Sequence, residues 1–393
     1  MSELRRSPSM AESGRLPYLA LLGLGALDAA GYSVIAPVTP AIADATGAGP
    51  ALIGVLVASF PAGMLAGFVL AGRAVGRRRP TALLLSALAL LALGSLGLVV
   101  GGGLPAYFVA RLVMGVGSGG LWIAVTFATL ERWPGQEYLC MSRIYAAYSA
   151  GGLVGPALGA IGGIRGPFLA YLALVVLAVP LALAVGTPPR RRRFEPDRSV
   201  LRLPGFWLAC VGVLFALMAL GLIEGVLPLR LADRLRQSQI GWLYVGLGLL
   251  LAASAVTAGR MAPRRALAAG AVLVTAGVAV AGAAGTVPLF VAGLALAGVG
   301  IGLGETGATG VLLETVATER IVTAMVLWSQ LAIVGYLAGP VAGGAVAQAL
   351  GFQALGLVPL AVALVLVAAF RRASRPAPEP PDYSRPPRTS SSP

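Results

Sequence analysis

The sequence predicts an all-α polytopic membrane protein with twelve transmembrane helices in two pseudo-symmetric six-helix bundles, and three observations predict it. Hydrophobic residues make up 58% of the chain and charged residues 11%, where a soluble domain carries about 25% charged residues. Apolar runs of roughly 20 residues, each able to cross a ~30 Å hydrocarbon core, can be placed twelve times. Landmarks also recur at offsets of 183 to 188 residues in a chain of 393, so the chain repeats itself at nearly half its length.

Residues 1–15 are polar and basic and precede an apolar run as long as a full span. A secretory signal would have a shorter apolar region and a small-residue cleavage site, so the run is expected to stay as the first helix. The spans of the first bundle (16–186) fall at 16–41, 50–72, 81–101, 105–130, 140–163 and 167–186. Those of the second bundle (205–370) fall at 205–228, 239–258, 266–285, 287–313, 321–346 and 352–370. Between the bundles, the polar segment 187–204 carries four consecutive arginines, Arg190 to Arg193, and reads as a cytoplasmic linker. The tail, 371–393, is rich in Pro, Ser and Arg and is expected to be disordered.

All 29 basic residues are Arg, and Lys, His and Asn are absent. With the amino terminus inside, 24 Arg fall in inside segments or, for Arg143, at the inside end of a span, four (Arg165, Arg230, Arg234, Arg236) fall in outside loops, and Arg111 lies deeper within a span. That asymmetry places both termini in the cytoplasm and the chain in the cell's inner (plasma) membrane. The net charge of +14 therefore reads as topology and contact with the lipid bilayer, with no nucleic-acid partner expected. Without His, and with Cys140 and Cys210 far apart, no metal site and no cofactor are expected. A disulfide between these two cysteines at cytoplasmic helix ends is not expected either.

The duplication is clearest in the run Tyr148 to Gly163, YSAGGLVGPALGAIGG, which sets Gly151, Gly155, Gly159 and Gly163 one helical turn apart. A helix edge without side chains admits a neighbouring backbone unusually closely. Pro156 removes one backbone donor there, tolerable where a neighbour satisfies the freed carbonyl. After 184 residues the second half reads GYLAGPVAGG, with Gly335, Gly339, Pro340 and Gly343 in the matching places. AGRAVGRRRP (from Ala71) is matched by AGRMAPRR (from Ala258), GVGSGG (from Gly115) by GVGIGLG (from Gly298), Glu131 by Glu314, and Pro40 by Pro228. Gly115, Gly117 and Gly120 also fit the dinucleotide pattern G-x-G-x-x-G. No strand precedes them, and close helix packing is the reading.

Charges inside a bilayer are costly, about 2.5 to 3.5 kcal/mol at a helix centre on insertion scales, and so point to use. Asp28 lies near the middle of the first span and, on a continuous helix, shares a face with Tyr32 and Thr39. It is the leading candidate for a proton or cation site; the bland alternative is a packing carboxylate. Arg111, Gly115, Ser118, Trp122, Thr126 and Thr129 fall within roughly 80° of one another at 3.6 residues per turn, a stripe expected to line a cavity. Arg111 is a candidate coupling charge, or else a structural ion pair or snorkelling group. Glu305, on a face with Gly298, Gly302 and Thr309, and Glu224, near the outer end of the seventh span, are candidate second sites. Tyr32, Trp122, Tyr145, Tyr148 and Trp328 are candidate cavity aromatics, whose rings can stack on a flat or cationic solute.

Together these landmarks resemble the major facilitator superfamily over nearly the whole chain. The stretch AGRAVGRRR, with Arg73, Gly76, Arg77 and Arg78, is similar to the family's signature loop. It departs where the usual acidic residue would stand, at Gly72 or Arg73. Gly31-x5-Pro37-Val38-x-Pro40, Arg111-x3-Gly115-x-Gly117 and Gly151-x3-Gly155-Pro156-x2-Gly159 resemble motifs of the twelve-helix drug:proton antiporter branch. The resemblance implies the major facilitator fold, a monomer whose bundles rock about a central site, and export of a hydrophobic or amphipathic small molecule, a drug or secondary metabolite, in exchange for protons. A proton-coupled carrier of a sugar or amino acid and a non-transporting receptor are the alternatives. No nucleophile-base pair or metal set suggests an enzyme.

Overall fold

The structure, a computed structural model, describes residues 14–75, 79–133, 136–186, 197–317 and 320–373. The segment before Gly14, signature-loop residues Gly76, Arg77 and Arg78, the arginine run and the tail beyond Ala373 lie outside the described residues. The first half comprises α1 (Arg15–Ser33), a 3-10 turn (Ala36–Val38), α2 (Thr39–Thr46), α3 (Pro50–Ala74), α4 (Pro80–Val100), α5 (Leu104–Arg132), α6 (Glu137–Gly159), α7 (Arg165–Leu177) and α8 (Val179–Val185). The second comprises α9 (Pro204–Gly225), α10 (Leu227–Leu231), α11 (Gln237–Ala258), α12 (Pro263–Ala283), α13 (Val287–Thr315), α14 (Ile321–Leu350) and α15 (Leu357–Ala373). Three spans are interrupted or compound: α1 continues into α2, α7 into α8, and α9 into α10.

Among the described residues, eleven helical stretches are long and apolar enough to cross a membrane. The twelfth predicted span is α6, whose 23 residues include Ser142, Arg143, Tyr145, Tyr148 and Ser149. These lower its apolarity below that of its neighbours. Span boundaries agree with the sequence expectations to within a few residues, except that the first runs on to Thr46.

The duplication governs the packing. Each half has its own apolar core, residues 18 to 185 with Ile333 in one and 200 to 366 with Ala36 in the other. Within the first half α1 packs on α6, α3 on α5, and α4 on α5; the equivalent pairs α9 on α14, α11 on α13, and α12 on α13 build the second. Because lipid tails are as apolar as leucine, such contacts are held by close packing and hydrogen bonds rather than by water exclusion.

The glycine comb of α6 meets α1. A Cβ at Gly151 would overlap the Ala26 backbone, one at Gly155 the Ser33 hydroxyl, and one at Gly159 would come within 2.9 Å of Pro37. A Cβ at Gly163, beyond the end of α6, would meet nothing within 4 Å. In α14, Gly335, Gly339 and Gly343 face Leu214, Met218 and Leu222 of α9 in the same way. These combs therefore close each half on itself.

The halves meet through other atoms of the same helices, together with α3 and α11. Gly54 of α3 sits against the Pro340 carbonyl, and Gly344 against Pro50 and Ala51. Gly241 of α11 sits 2.8 Å, at an added Cβ, from the Pro156 carbonyl. The Gln237 amide donates to the carbonyls of Gly159 (2.8 Å) and Gly163 (3.0 Å). All these contacts lie toward the face where α2 gives way to α3. On the opposite face, Asp197 ties the end of the linker to the start of α14 through Arg320 (3.0 Å) and Thr323 (3.3 Å).

Candidate functional site

The site begins where the first span breaks. Pro37 and Pro40 cannot donate backbone hydrogen bonds, which weakens the helix there, and α1 gives way after Ser33 to the 3-10 turn Ala36–Val38. Thr39 turns its hydroxyl back to the Ala36 carbonyl at 3.0 Å. It lies on α2, beyond the 3-10 turn that separates it from Asp28 and Tyr32 on α1. Arg111 reaches over from α5 and donates to the carbonyls of Gly31 (3.0 Å) and Tyr32 (3.4 Å), with its guanidinium 4.4 Å from the centre of the Phe60 ring. It is fully buried.

Asp28 is 1% exposed, and neither carboxylate oxygen has a hydrogen-bond partner. Ser118 of α5 stands beside it with its own hydroxyl unpaired, and the Tyr148 and Tyr171 phenols are within electrostatic reach. A second cluster joins the two halves. Glu224, next to the last residue of α9 and 7% exposed, lies within electrostatic reach of Arg111, Tyr32, Tyr244 and Tyr336. Tyr32 of α1 and Tyr336 of α14 set their rings 4.4 Å apart, and Tyr32 meets Phe60 at 5.5 Å.

Glu305 of α13 is half-buried. Its charge reaches Tyr145, Tyr148 and Tyr336. Tyr148 and Tyr336 thus feel both Glu224 and Glu305 and connect the two carboxylates. Trp122 stacks edge-on against Tyr145 (5.0 Å) and Tyr148 (5.4 Å), and Tyr145 bonds Ser329 of α14 at 3.0 Å. Thr126, one turn beyond Trp122, is half-buried with its hydroxyl unpaired.

The predicted stripe on α5 is not uniform. Trp122 and Thr126 are partly open, Arg111 and Ser118 are buried against α1, and Thr129 bonds the Val125 carbonyl of its own helix. Gly115 abuts the Phe60 backbone of α3. Gly298 and Gly302 likewise pack against Leu247, Leu251 and Ser254 of α11. Trp328 is buried in the second core. Arg73 is exposed at the end of α3, and Cys140 and Cys210 are buried thiols. Phe60, Tyr171, Tyr244, Ser329 and Tyr336 were not predicted. Tyr336 lay within the quoted GYLAGPVAGG repeat, and its place inside the glycine comb was the available signal.

Three carboxylates from the two halves of a duplicated membrane bundle thus lie among an arginine and a belt of tyrosines. A family model described as the Major Facilitator Superfamily matches residues 21–231 and 209–393, and the chain belongs to that superfamily. No curated protein matches the sequence. Among solved structures, a bacterial homolog of the human lysosomal transporter Spinster is similar in two states. In its inward-facing, occupied form the TM-score is 0.75 at 14% identity, covering 91% of this chain and 96% of that one. In its inward-facing, unoccupied form the score is 0.73 at 14% identity, covering 91% and 95%. The human organic anion transporter MFSD10 has a TM-score of 0.64 at 17% identity, covering 90% and 99%. At these identities the likeness is one of fold.

Proposed function

We propose that this major facilitator protein exports a hydrophobic or amphipathic small molecule in exchange for protons, as a monomer working by alternating access. The observation that carries the reading is the set of three intramembrane carboxylates, Asp28, Glu224 and Glu305, drawn from both halves around Tyr148 and Tyr336. A carboxyl group with no fixed counter-ion can hold a proton in one state of the cycle and release it in another. Glu224 is the carboxylate within reach of Arg111, so a change in how the halves meet changes how that charge is felt. The belt of Tyr32, Trp122, Tyr145, Tyr148 and Tyr336 offers ring faces and few hydrogen-bonding amides, which suits an apolar or flat solute better than a sugar. The arginine asymmetry supports a cytoplasmic linker face and a place in the plasma membrane.

The test is proton flux in proteoliposomes under an imposed pH gradient, screening lipophilic cations and neutral amphiphiles, with Asp28→Asn in parallel. The expected result is substrate-dependent proton movement that the variant loses while still inserting and folding. Substrate transport at the wild-type rate by Asp28→Asn overturns the role of Asp28. Transport indifferent to the gradient overturns proton coupling.

A further inference from the structure

We propose that Tyr171, on the sixth span, is a positioning residue for Asp28: its phenol, with Ser118, fixes the carboxyl group inside the first half and links it to the Arg111 clamp. The inference rests on the reading of Asp28 as a working carboxyl group. Helix α7 lies on the outside of the first half, packed on α4, yet Tyr171 is wholly buried. Its hydroxyl reaches α1 because Gly31 has no side chain; any Cβ there would overlap the phenol. The carbonyl of the same Gly31 accepts the Arg111 bond at 3.0 Å, so phenol and guanidinium meet the chain at one residue.

Asp28 lies one turn before Gly31 on α1, and its charge reaches the Tyr171 phenol. Both Asp28 oxygens, the Ser118 hydroxyl and the Tyr171 hydroxyl are buried without a hydrogen-bond partner, a state in which buried polar groups are rarely left. One turn earlier on the same face the chain uses Phe168, also wholly buried. An apolar ring therefore suffices for packing on that face, and the hydroxyl at 171 is what packing does not explain. The other groups facing Asp28 are Ser118 from α5 and Tyr148 from α6; α8, which also packs on α1, brings no titratable side chain.

The experiment is infrared difference spectroscopy of the full-length protein in liposomes across pH, following the carboxylic-acid carbonyl band that Asp28→Asn removes. A phenol that donates toward the anion favours it, so Tyr171→Phe is expected to move the midpoint of that band to higher pH by about one unit. Transport, if proton-driven, shifts its pH profile by the same amount. An unmoved band and profile in Tyr171→Phe overturn the proposal and leave Tyr171 a packing residue. Should that variant fail to fold, Tyr171→3-fluorotyrosine keeps ring and hydroxyl and changes only acidity; an unmoved band there overturns it equally. A shifted band with transport indifferent to protons would sustain this proposal while sinking proton exchange.

Discussion

Tyr145 and Ser329 occupy the same place in the two halves, each ten residues before its Gly-Pro pair, and their hydroxyls meet at 3.0 Å across the pseudo-two-fold axis. Residues related by such an axis touch only where the halves face each other directly. The bond belongs to this arrangement of the halves and has to break when they rock apart at that level. A neutral hydrogen bond contributes about 1 kcal/mol, or about five-fold in a population. Tyr145→Phe and Ser329→Ala should each shift the distribution of distances between spin labels on the linker-face ends of α6 and α14, and the double variant should shift it no further than either. Additive effects would mean that the two hydroxyls act separately.

Ser33 resolves the proline of the fifth span. Pro156 cannot donate to Gly152, and the Ser33 hydroxyl, shared with the Ala29 carbonyl at 2.9 Å, meets the Gly152 carbonyl at 3.1 Å. Removing it leaves a part-buried acceptor without this donor, at a cost of about 1 kcal/mol. Ser33→Ala should lower the unfolding temperature in detergent, whereas Ser33→Thr, where it fits, should keep the bond. A thermal midpoint unchanged in Ser33→Ala would show that Gly152 finds another donor.

Much of this was legible in the residues. Span length, the duplication and the glycine spacing depend on local periodicity, and a periodic signal survives without knowledge of partners. The partners themselves were not legible. Gly151 and Gly335 announce close approach, but nothing in the spacing says that the neighbour is the first or seventh span of the same half. Asp28 and Glu224 stand out because a charge in an apolar run is rare. Tyr171 and Tyr244 do not, since a tyrosine in a span is unremarkable until its hydroxyl is seen buried. Thr39 lies past a 3-10 turn that a helical wheel does not represent.

The glycine comb makes a prediction with its own control. Gly151 and Gly152 are adjacent on α6, yet a Cβ at 151 overlaps the Ala26 backbone while one at 152 meets nothing within 4 Å. A backbone cannot yield as a side chain can, so even Gly151→Ala should force α6 away from α1. Such overpacking typically costs about 1 to 3 kcal/mol. Gly152→Ala should leave thermal stability unchanged or raise it slightly through helix propensity. Equal stability of the two variants would show that α1 and α6 are not held at this distance.

Arg111 closes the argument on the broken first span. Its planar fork serves two successive carbonyls and lies on the Phe60 ring, a geometry that an ammonium on a flexible stem does not reproduce. Arg111→Lys keeps the charge that Glu224 feels and removes the fork. If the arginine acts only through its charge, proton-linked transport should persist in that variant. If it also holds the break between α1 and α2, the amides from Val34 to Val38 should exchange faster, by about ten-fold or more for a loss of about 1.5 to 3 kcal/mol in hydrogen bonds to a charged group. Hydrogen exchange followed by mass spectrometry reads this segment directly. Faster exchange confined to it, with the rest of the first half protected as before, is the expected outcome, because the clamp acts where Gly31 and Tyr32 turn their carbonyls out of the helix.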